Sequence, residues 1–566
     1  MNLNIKATAE HSYDAIVIGT GISGGWAAKE LCEKGLKTLV LERGRDVTHI
    51  KDYPTAFMDP WQSPLANRLS AEEKAKYPIQ SQTGYFNQET KHWWINDLEN
   101  PYTQVKNFTW IRGNHVGGKS LLWSRQVYRW SDLDFTANAK DGHGVAWPIG
   151  YADIAPWYDY VEKFIGVSGQ AEGLAHLPDG QFLPPMEFTC LEKHVKASIK
   201  KHFPERLLTI GRTANLTQRH NDRGPCMYRN RCVRGCPFGA YFSSNSSTLP
   251  AAVATGNMTL RPDSLVSEIL FDAKTQRATG VRVIDANTHE VREYFAKIIF
   301  VNGSTLATTQ LLLNSQSERF PNGLGNDSGE LGHNLMDHHN KIGASGVSDL
   351  FADEYYYGRR PNGIYIPRYR NVSTQRDDYL RGFGFQGNSG RGDWERGTLS
   401  ENIGAELKTE LQQPGAWSMH LSGFGECLPY HENKVSLNHD VKDKWGLSTL
   451  NIDCAYRENE KKMRLDIAAS AAEMLEAAGL KSVTAFNEEN HAPGKGIHEM
   501  GTARMGLDAK TSVLNKHNQM HAVKNLFVTD GACMTSSACQ NPSLTYMALT
   551  ARAADFAVSE LNKRNL

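Results

Sequence analysis

Apolar residues along this chain fall into short blocks whose spacing switches between strand-like and helical. The first block, Ala15-Ile16-Val17-Ile18, has the length and β-branched content of a buried strand. Gly19-x-Gly21-x-x-Gly24 follows, and then Trp26, Ala27, Leu31 and Cys32 recur at helical spacing until Gly35. A second apolar run, Thr38 to Leu41, delivers Glu42. The pattern predicts a strand–helix–strand unit with a dinucleotide fingerprint. Gly19 permits the tight turn, Gly21 lets backbone approach a pyrophosphate, and Gly24 lets helix and strand pack closely. The helix N-terminus offers free N–H groups and a positive dipole end. Glu42 lies 23 residues past Gly19, where an acid accepts hydrogen bonds from ribose hydroxyls. These features in order predict nucleotide binding, without separating FAD from NAD.

The periodicity then lapses. Residues 47–102 are rich in Pro, Gln, Asn and Trp and read as irregular structure or a lid, with Trp93 and Trp94 as packing residues rather than a substrate platform. Gly113, Gly117 and Gly118 are too dense for a regular element and suit a loop lying along a flat ligand. Asp153 to Phe164 predicts an amphipathic helix, and 169–185 a loop. Residues 260–284 alternate like two strands with a turn at Asp272. Ala296 to Val301 is a further buried strand, leading through Gly303 to a helix over Thr305 to Leu313. His333, His338 and His339 do not share helical i,i+4 spacing, so their segment reads as a polar loop packed on the cofactor domain rather than a metal site.

Residues 355–451 alternate aromatic and polar positions between Gly, Pro and Asn turns, which predicts an antiparallel sheet with one polar face as a substrate wall. Gln386, His420 and Glu426 are its candidate substrate contacts. Glu460 to Ala478 predicts an amphipathic helix with Asn459 as its cap. Leu526 to Val528 predicts a short strand leading to Asp530. Pro542 suits the first turn of a helix over Ser543 to Ala554, with Asn541 as cap. That helix N-terminus suits negative charge developing on a flavin. His498 lies among glycines in a region without periodicity, which makes it the candidate general base.

At 566 residues the chain is long enough for two domains or one with large insertions. Lys plus Arg and Asp plus Glu are 62 each, so charge makes no case for nucleic acid. No run of eighteen apolar residues occurs, so no membrane span is expected. The first fourteen residues lack an apolar core and a twin arginine, so no secretion signal is expected there. Nine cysteines are an odd count, and three of them form C-x5-C-x3-C followed by proline: Cys226, Cys232 and Cys236. Three thiolates suit a three-iron cluster, whose negative charge Arg229, Arg231 and Arg234 would offset. Zinc with His220 as fourth ligand, a disulfide plus one thiol, and three unrelated thiols are equally compatible with the spacing.

Together these motifs resemble the glucose–methanol–choline family of FAD oxidoreductases over almost the whole chain, most strongly at 19–42, 113–120, 296–315 and 498–545. The resemblance implies a Rossmann-like α/β FAD domain built from discontinuous segments plus an antiparallel-sheet substrate domain. It implies residues 1–60, 103–130, 215–345 and 480–566 in the first, and 61–102, 131–214 and 346–479 in the second, with 226–237 as an iron–sulfur segment. Gly19, Gly21, Gly24 and Glu42 would hold the ADP part, and Gly117, Gly118 and Ser120 would lie along the isoalloxazine. Arg112, Val266, Asp530, Pro542 and Ser543 would complete the cofactor contacts. His498 and Asn541 would be the catalytic pair. Leu122 stands where some members carry a histidine that links FAD, so the cofactor is expected to be non-covalent.

The cysteine segment is similar to the 3Fe-4S segment of bacterial glucoside 3-dehydrogenases and FAD-dependent glucose dehydrogenases. That likeness implies oxidation of a secondary sugar hydroxyl, expected at C3, and electron transfer to a cytochrome c-type acceptor. It also implies a small subunit carrying an export signal and a periplasmic location by co-export; cytoplasm is the alternative. The competing readings are an oxygen-using sugar oxidase with structural cysteines, a sugar-acid dehydrogenase of the gluconate 2-dehydrogenase kind, and a non-catalytic flavoprotein.

Overall fold

The Ala15–Ile18 block lies in the middle of a seven-stranded sheet. The structure is a computed structural model and describes residues 11–566 other than 357, 359, 394, 395, 398, 399, 489 and 490. Strand β1 (Ser12–Ile18) leads into α1 (Ile22–Glu33) and back to β2 (Thr38–Leu41), parallel to β1. Nearly all of α1 is buried, because the sheet covers one side and later helices cover the others. Two of those are α2 (Tyr151–Ile165), which buries Ile154, Tyr158, Val161 and Ile165, and the last helix of the chain described below. A further helix, α3 (Cys190–His202), belongs to the second sheet.

Strand β3 (Met258–Arg261) adds parallel to β2. β4 (Ser264–Asp272), β5 (Arg277–Asp285) and β6 (Val291–Val301) form an antiparallel meander. β6 is eleven residues long and does two jobs. Its first half pairs with β5, and its second half runs parallel to β1, up to Ile18 opposite Val301. α4 (Thr305–Asn314) follows immediately.

The second sheet has six strands, all antiparallel. It uses β7 (Ile342–Ser348), β8 (Ile364–Ile366), β9 (Phe383–Arg391) and β10 (Trp417–Gly425). The alternation over 355–451 places the strands β11 (Lys434–Lys442) and β12 (Ser448–Asp453) in this sheet. They instead form a separate three-stranded sheet with Thr103–Gln104. α5 (Glu458–Ala477) and then β13 (Lys481–Asn487) return to the six-stranded sheet. Phe383, Phe385, Met419 and Leu421 face α3 and α5 in a common core. The alternate positions of β9 and β10 face the other way, with Gln386 opposite Ser422 and Asn388 opposite His420.

Finally β14 (Leu526–Val528) pairs parallel with β6, and α6 (Ser543–Asn562) packs on α1 and α2. Two expected caps are corrected. α5 begins one residue before Asn459, and its first turn is closed by Glu460, which accepts the Arg457 N–H at 2.8 Å; Asn459 accepts instead from Leu380 N. Asn541 does not cap α6, because its side chain is engaged elsewhere. No helix among the described residues is long and apolar enough to cross a membrane.

Candidate active site

A cavity of about 940 Å³ runs from the end of β1, between the two sheets, to the polar face of β9 and β10. At one end lie Gly19, Thr20, Gly21, Glu42 and the start of β4, including Val266. Gly19 takes φ +95°, and an added Cβ there would sit 2.3 Å from the Asn302 carbonyl oxygen. A Cβ on Gly24 would sit 2.0 Å from Gly19 O, so this glycine serves helix–strand contact. Gly21 differs: nothing lies within 4 Å of its would-be Cβ, which points into open space at the head of α1. Glu42 is buried and held by Thr20 Oγ1 (2.5 Å), Thr20 N (3.1 Å) and Gly44 N (3.1 Å), and burial pushes its carboxyl upward.

The glycine-rich loop crosses the middle of the cavity. Gly117 (φ +90°) donates its N–H to Thr20 Oγ1 at 2.9 Å, which ties this loop to the first turn, while Gly118 and Ser120 line the cavity. Arg112 also lines it, stacked on Trp110 at 4.0 Å, and burial lowers its guanidinium to about 9. Trp93 is packed against Tyr53 and His115, whereas Trp94 reaches the cavity. Asp530, Pro542 and Ser543 line it as well. Asp530 accepts from Thr308 Oγ1 at 2.5 Å, and burial raises it to about 6. Several buried polar atoms facing this space have no protein partner: Arg43 Nε, Arg112 Nε, Asn302 Nδ2 and Glu499 Oε1. A glycine cradle, an acid and orphaned donors fit a dinucleotide and account for the unmet polar groups.

At the far end His498 and Asn541, 43 positions apart in sequence, meet with Nε2 and Nδ2 3.4 Å apart. Gln386 Nε2 donates to Asn541 Oδ1 at 2.6 Å, which turns the Asn541 amine toward His498. The loop carrying His498 is bound by Asp337, whose carboxylate accepts from the N–H groups of Gly494 (2.7 Å), Gly496 (2.9 Å) and His498 (3.0 Å). Burial, with Glu499 nearby, raises Asp337 to about 7. The neighbouring His338 places its Nδ1 2.9 Å from His498 Nδ1. Burial, then His338 and Lys119, push His498 well below the usual histidine range, so it is neutral.

Of the proposed substrate contacts, His420 and Gln386 line the cavity beside Asn388, Ser422 and Phe424. Glu426 is corrected: it is fully buried in an ion pair with Arg381 at 2.7 Å, with Arg368 at 3.8 Å, and does not reach the cavity. It is the first residue past β10, where the strand's alternation no longer holds. The reading of the sequence missed Asp337 and His338 as supports for His498. For Asp337 the one available signal is the irregular, glycine-rich segment around residue 498, whose backbone N–H groups need an acceptor from another segment; nothing comparable points to His338.

Cys226, Cys232 and Cys236 line one small second cavity, and Cys232 also lines the large one. All nine cysteines are free. Burial pushes Cys226 up to about 11 and raises Cys236. Among the described residues no group of three or more His, Cys, Asp or Glu is placed to hold a metal ion. His220 Nε2 is 2.7 Å from Lys163 O, and His220 does not line the cavity that the three cysteines share. Two of the three arginines expected to balance a cluster have acid partners, Arg231 with Asp59 at 3.5 Å and Arg234 with Glu89.

The sequence matches the N-terminal domain profile of GMC oxidoreductases over residues 13–340 and the C-terminal one over 429–550. The chain belongs to the GMC oxidoreductase family. It is therefore an oxidoreductase using FAD, and the cradle described above is where its residues fit that cofactor. It is 28% identical to 2-methyl-1,2-propanediol dehydrogenase of Mycolicibacterium austroafricanum, covering 97% of this chain and 96% of the relative. It is 25% identical to the fructose dehydrogenase large subunit of Gluconobacter japonicus, covering 98% and 99%. Among solved structures, pyridoxine 4-oxidase from Mesorbium loti shares the fold at TM-score 0.59 and 16% identity, over 96% of this chain and 99% of that one.

Proposed function

We propose that this GMC oxidoreductase is a dehydrogenase that oxidises a secondary hydroxyl of a sugar or glucoside, with C3 as the expected carbon. The observation that carries the reading is the His498–Asn541 pair at the end of the cavity, with His498 Nε2 3.4 Å from Asn541 Nδ2. FAD, when bound, supplies the hydride acceptor. The protein does the rest. His498 Nε2 takes the hydroxyl proton, and Asn541 Nδ2 donates a hydrogen bond to the same oxygen and holds it in place. General-base assistance of this kind contributes roughly 10²–10⁴-fold. Gln386 keeps the amide from flipping. Asn388, His420 and Ser422 supply a polar wall suited to further hydroxyls.

Dehydrogenase rather than oxidase is favoured by the cysteine segment. Three thiols share one cavity that no carboxylate lines and that Arg229 and Arg231 do; they are not placed to hold a metal ion as they stand and would have to close in on a 3Fe-4S cluster. Iron would displace the protons that burial keeps on Cys226 and Cys236. The placement of Cys232 between both cavities supports an outlet toward a cytochrome c-type acceptor. A partner subunit is in keeping with a relative that is itself named a large subunit.

The test is anaerobic bleaching of the bound flavin by a panel of glucosides, with the ketone located by NMR. His498→Ala should hold FAD and lose turnover; unchanged turnover defeats the assignment. Iron analysis and electron paramagnetic resonance of anaerobically prepared protein, beside Cys232→Ser, decide the cluster. Peroxide formed in step with ketone would instead favour the oxidase.

A further inference from the structure

The proton that His498 is proposed to accept needs a particular tautomer, and the surroundings of His338 select one. His338 is fully buried. Its Nε2 lies 3.1 Å from Ser537 O and 3.0 Å from Ala538 O. Both are carbonyls and can only accept, so Nε2 carries the hydrogen. Burial pushes His338 down to about 4, so its ring is neutral and its Nδ1 is bare. The contact from His338 Nδ1 to His498 Nδ1 at 2.9 Å is a hydrogen bond only if His498 donates. His498 then has its hydrogen on Nδ1 and its lone pair on Nε2, facing Asn541 and the cavity.

We propose that His338 is a positioning residue that relays the polarity of the Ser537 and Ala538 carbonyls to His498 and holds it in the Nδ1–H tautomer. This rests on the reading of His498 as the base. The opposite tautomer would set two bare nitrogens 2.9 Å apart and leave a hydrogen on Nε2, where a substrate proton has to arrive. A serine hydrolase uses a carboxylate for this purpose. Here the acceptor is a neutral imidazole. It fixes orientation without adding a negative charge that would strengthen the base. Asp337 and His338 thus divide the work on His498: one carboxylate holds the backbone, and the next residue holds the ring.

Two variants separate this role from packing. His338→Gln offers an amide N–H to the two carbonyls and an oxygen to His498, so the polarity is kept. His338→Leu fills the site and removes both partners. With FAD bound, His338→Leu is expected to lower kcat by roughly 10²–10³-fold, within the range of general-base assistance, and His338→Gln to stay within about tenfold of the parent. In the parent holoenzyme, long-range 1H–15N correlation spectra, with the His498 ring assigned by difference against His498→Gln, should show hydrogen on Nδ1. The proposal is overturned if His498 carries its hydrogen on Nε2. It is also overturned if His338→Leu keeps kcat within about threefold, or if a flavin-loaded His338→Gln is as slow as His338→Leu. The NMR readout needs no substrate. A parent whose flavin no alcohol reduces would therefore refute the proposed function while leaving the tautomer decided on its own.

Discussion

Gly21 and Gly24 sit in one fingerprint yet face opposite fates when a methyl group is added. At Gly21 the backbone is at φ −65° and ψ −161°, open to any residue, and no atom lies within 4 Å of the new Cβ. Alanine is a poorer helix cap than glycine by about 0.5–1 kcal/mol. It recovers about 0.4–1 kcal/mol by restricting the unfolded chain. The two effects nearly cancel, so the apoprotein of Gly21→Ala should melt within a degree or two of the parent. The methyl group projects into the cradle, where intrusion into a filled space costs ~1–3 kcal/mol. That corresponds to an FAD dissociation constant roughly 5- to 150-fold weaker. In Gly24→Ala the new Cβ meets the Gly19 carbonyl at 2.0 Å, so β1 and α1 have to separate and the apoprotein itself loses stability. Deflavinated proteins are titrated with FAD by quenching of flavin fluorescence, and their melting is followed by circular dichroism. The reasoning fails if Gly21→Ala binds FAD as tightly as the parent, or if its apoprotein melts as low as that of Gly24→Ala.

Three further outcomes are expected. Gln386→Leu leaves Asn541 Oδ1 without its donor, frees the amide to flip, and should lower kcat/KM about tenfold at unchanged FAD content, at the scale of one lost hydrogen bond; steady-state kinetics would show it. Because burial holds His498 well below 6.5, the base is neutral at and above that pH, so kcat/KM should be flat from pH 8 to about 6.5 and fall only as acid protonates the ring; an acid limb centred at or above 6.5 contradicts this. Arg381→Leu strands the fully buried Glu426 carboxylate, with Arg368 only 3.8 Å away as partial relief, and should cost about 3 kcal/mol by denaturant unfolding. KM should change little in that variant's folded fraction, since neither residue lines the cavity.

How much of this was legible in the sequence depended on whether local pattern and tertiary role agreed. β1, α1 and β2 are set by periodicity and glycine, and the strand–turn–strand at 264–285 by alternation, so all were readable. Gln386 and His420 were readable as cavity residues because strand alternation puts them on the polar face. Glu426 was not, since it lies one residue past that strand and is turned inward by Arg381, a partner 45 positions away. Asn541 looks like a helix cap by composition, but Gln386, 155 positions distant, claims its side chain. The glycines around residue 498 signal a need for acceptors but not their source: the importance of Asp337 and His338 comes from residues 494–498 and 537–538, and no local rule joins those stretches.

The late strand β14 has a consequence for biosynthesis. β1 and β6 are translated well before β14, α6, His498 and Asn541, all of which follow residue 490. At roughly 5–20 residues per second, the stretch from residue 301 to residue 526 leaves one flank of the sheet unpaired for about 10–45 seconds, before Asp530, Asn541 and Ser543 are there to line the cavity. The last segments to arrive therefore complete both the open flank of the sheet and the lining of the cavity.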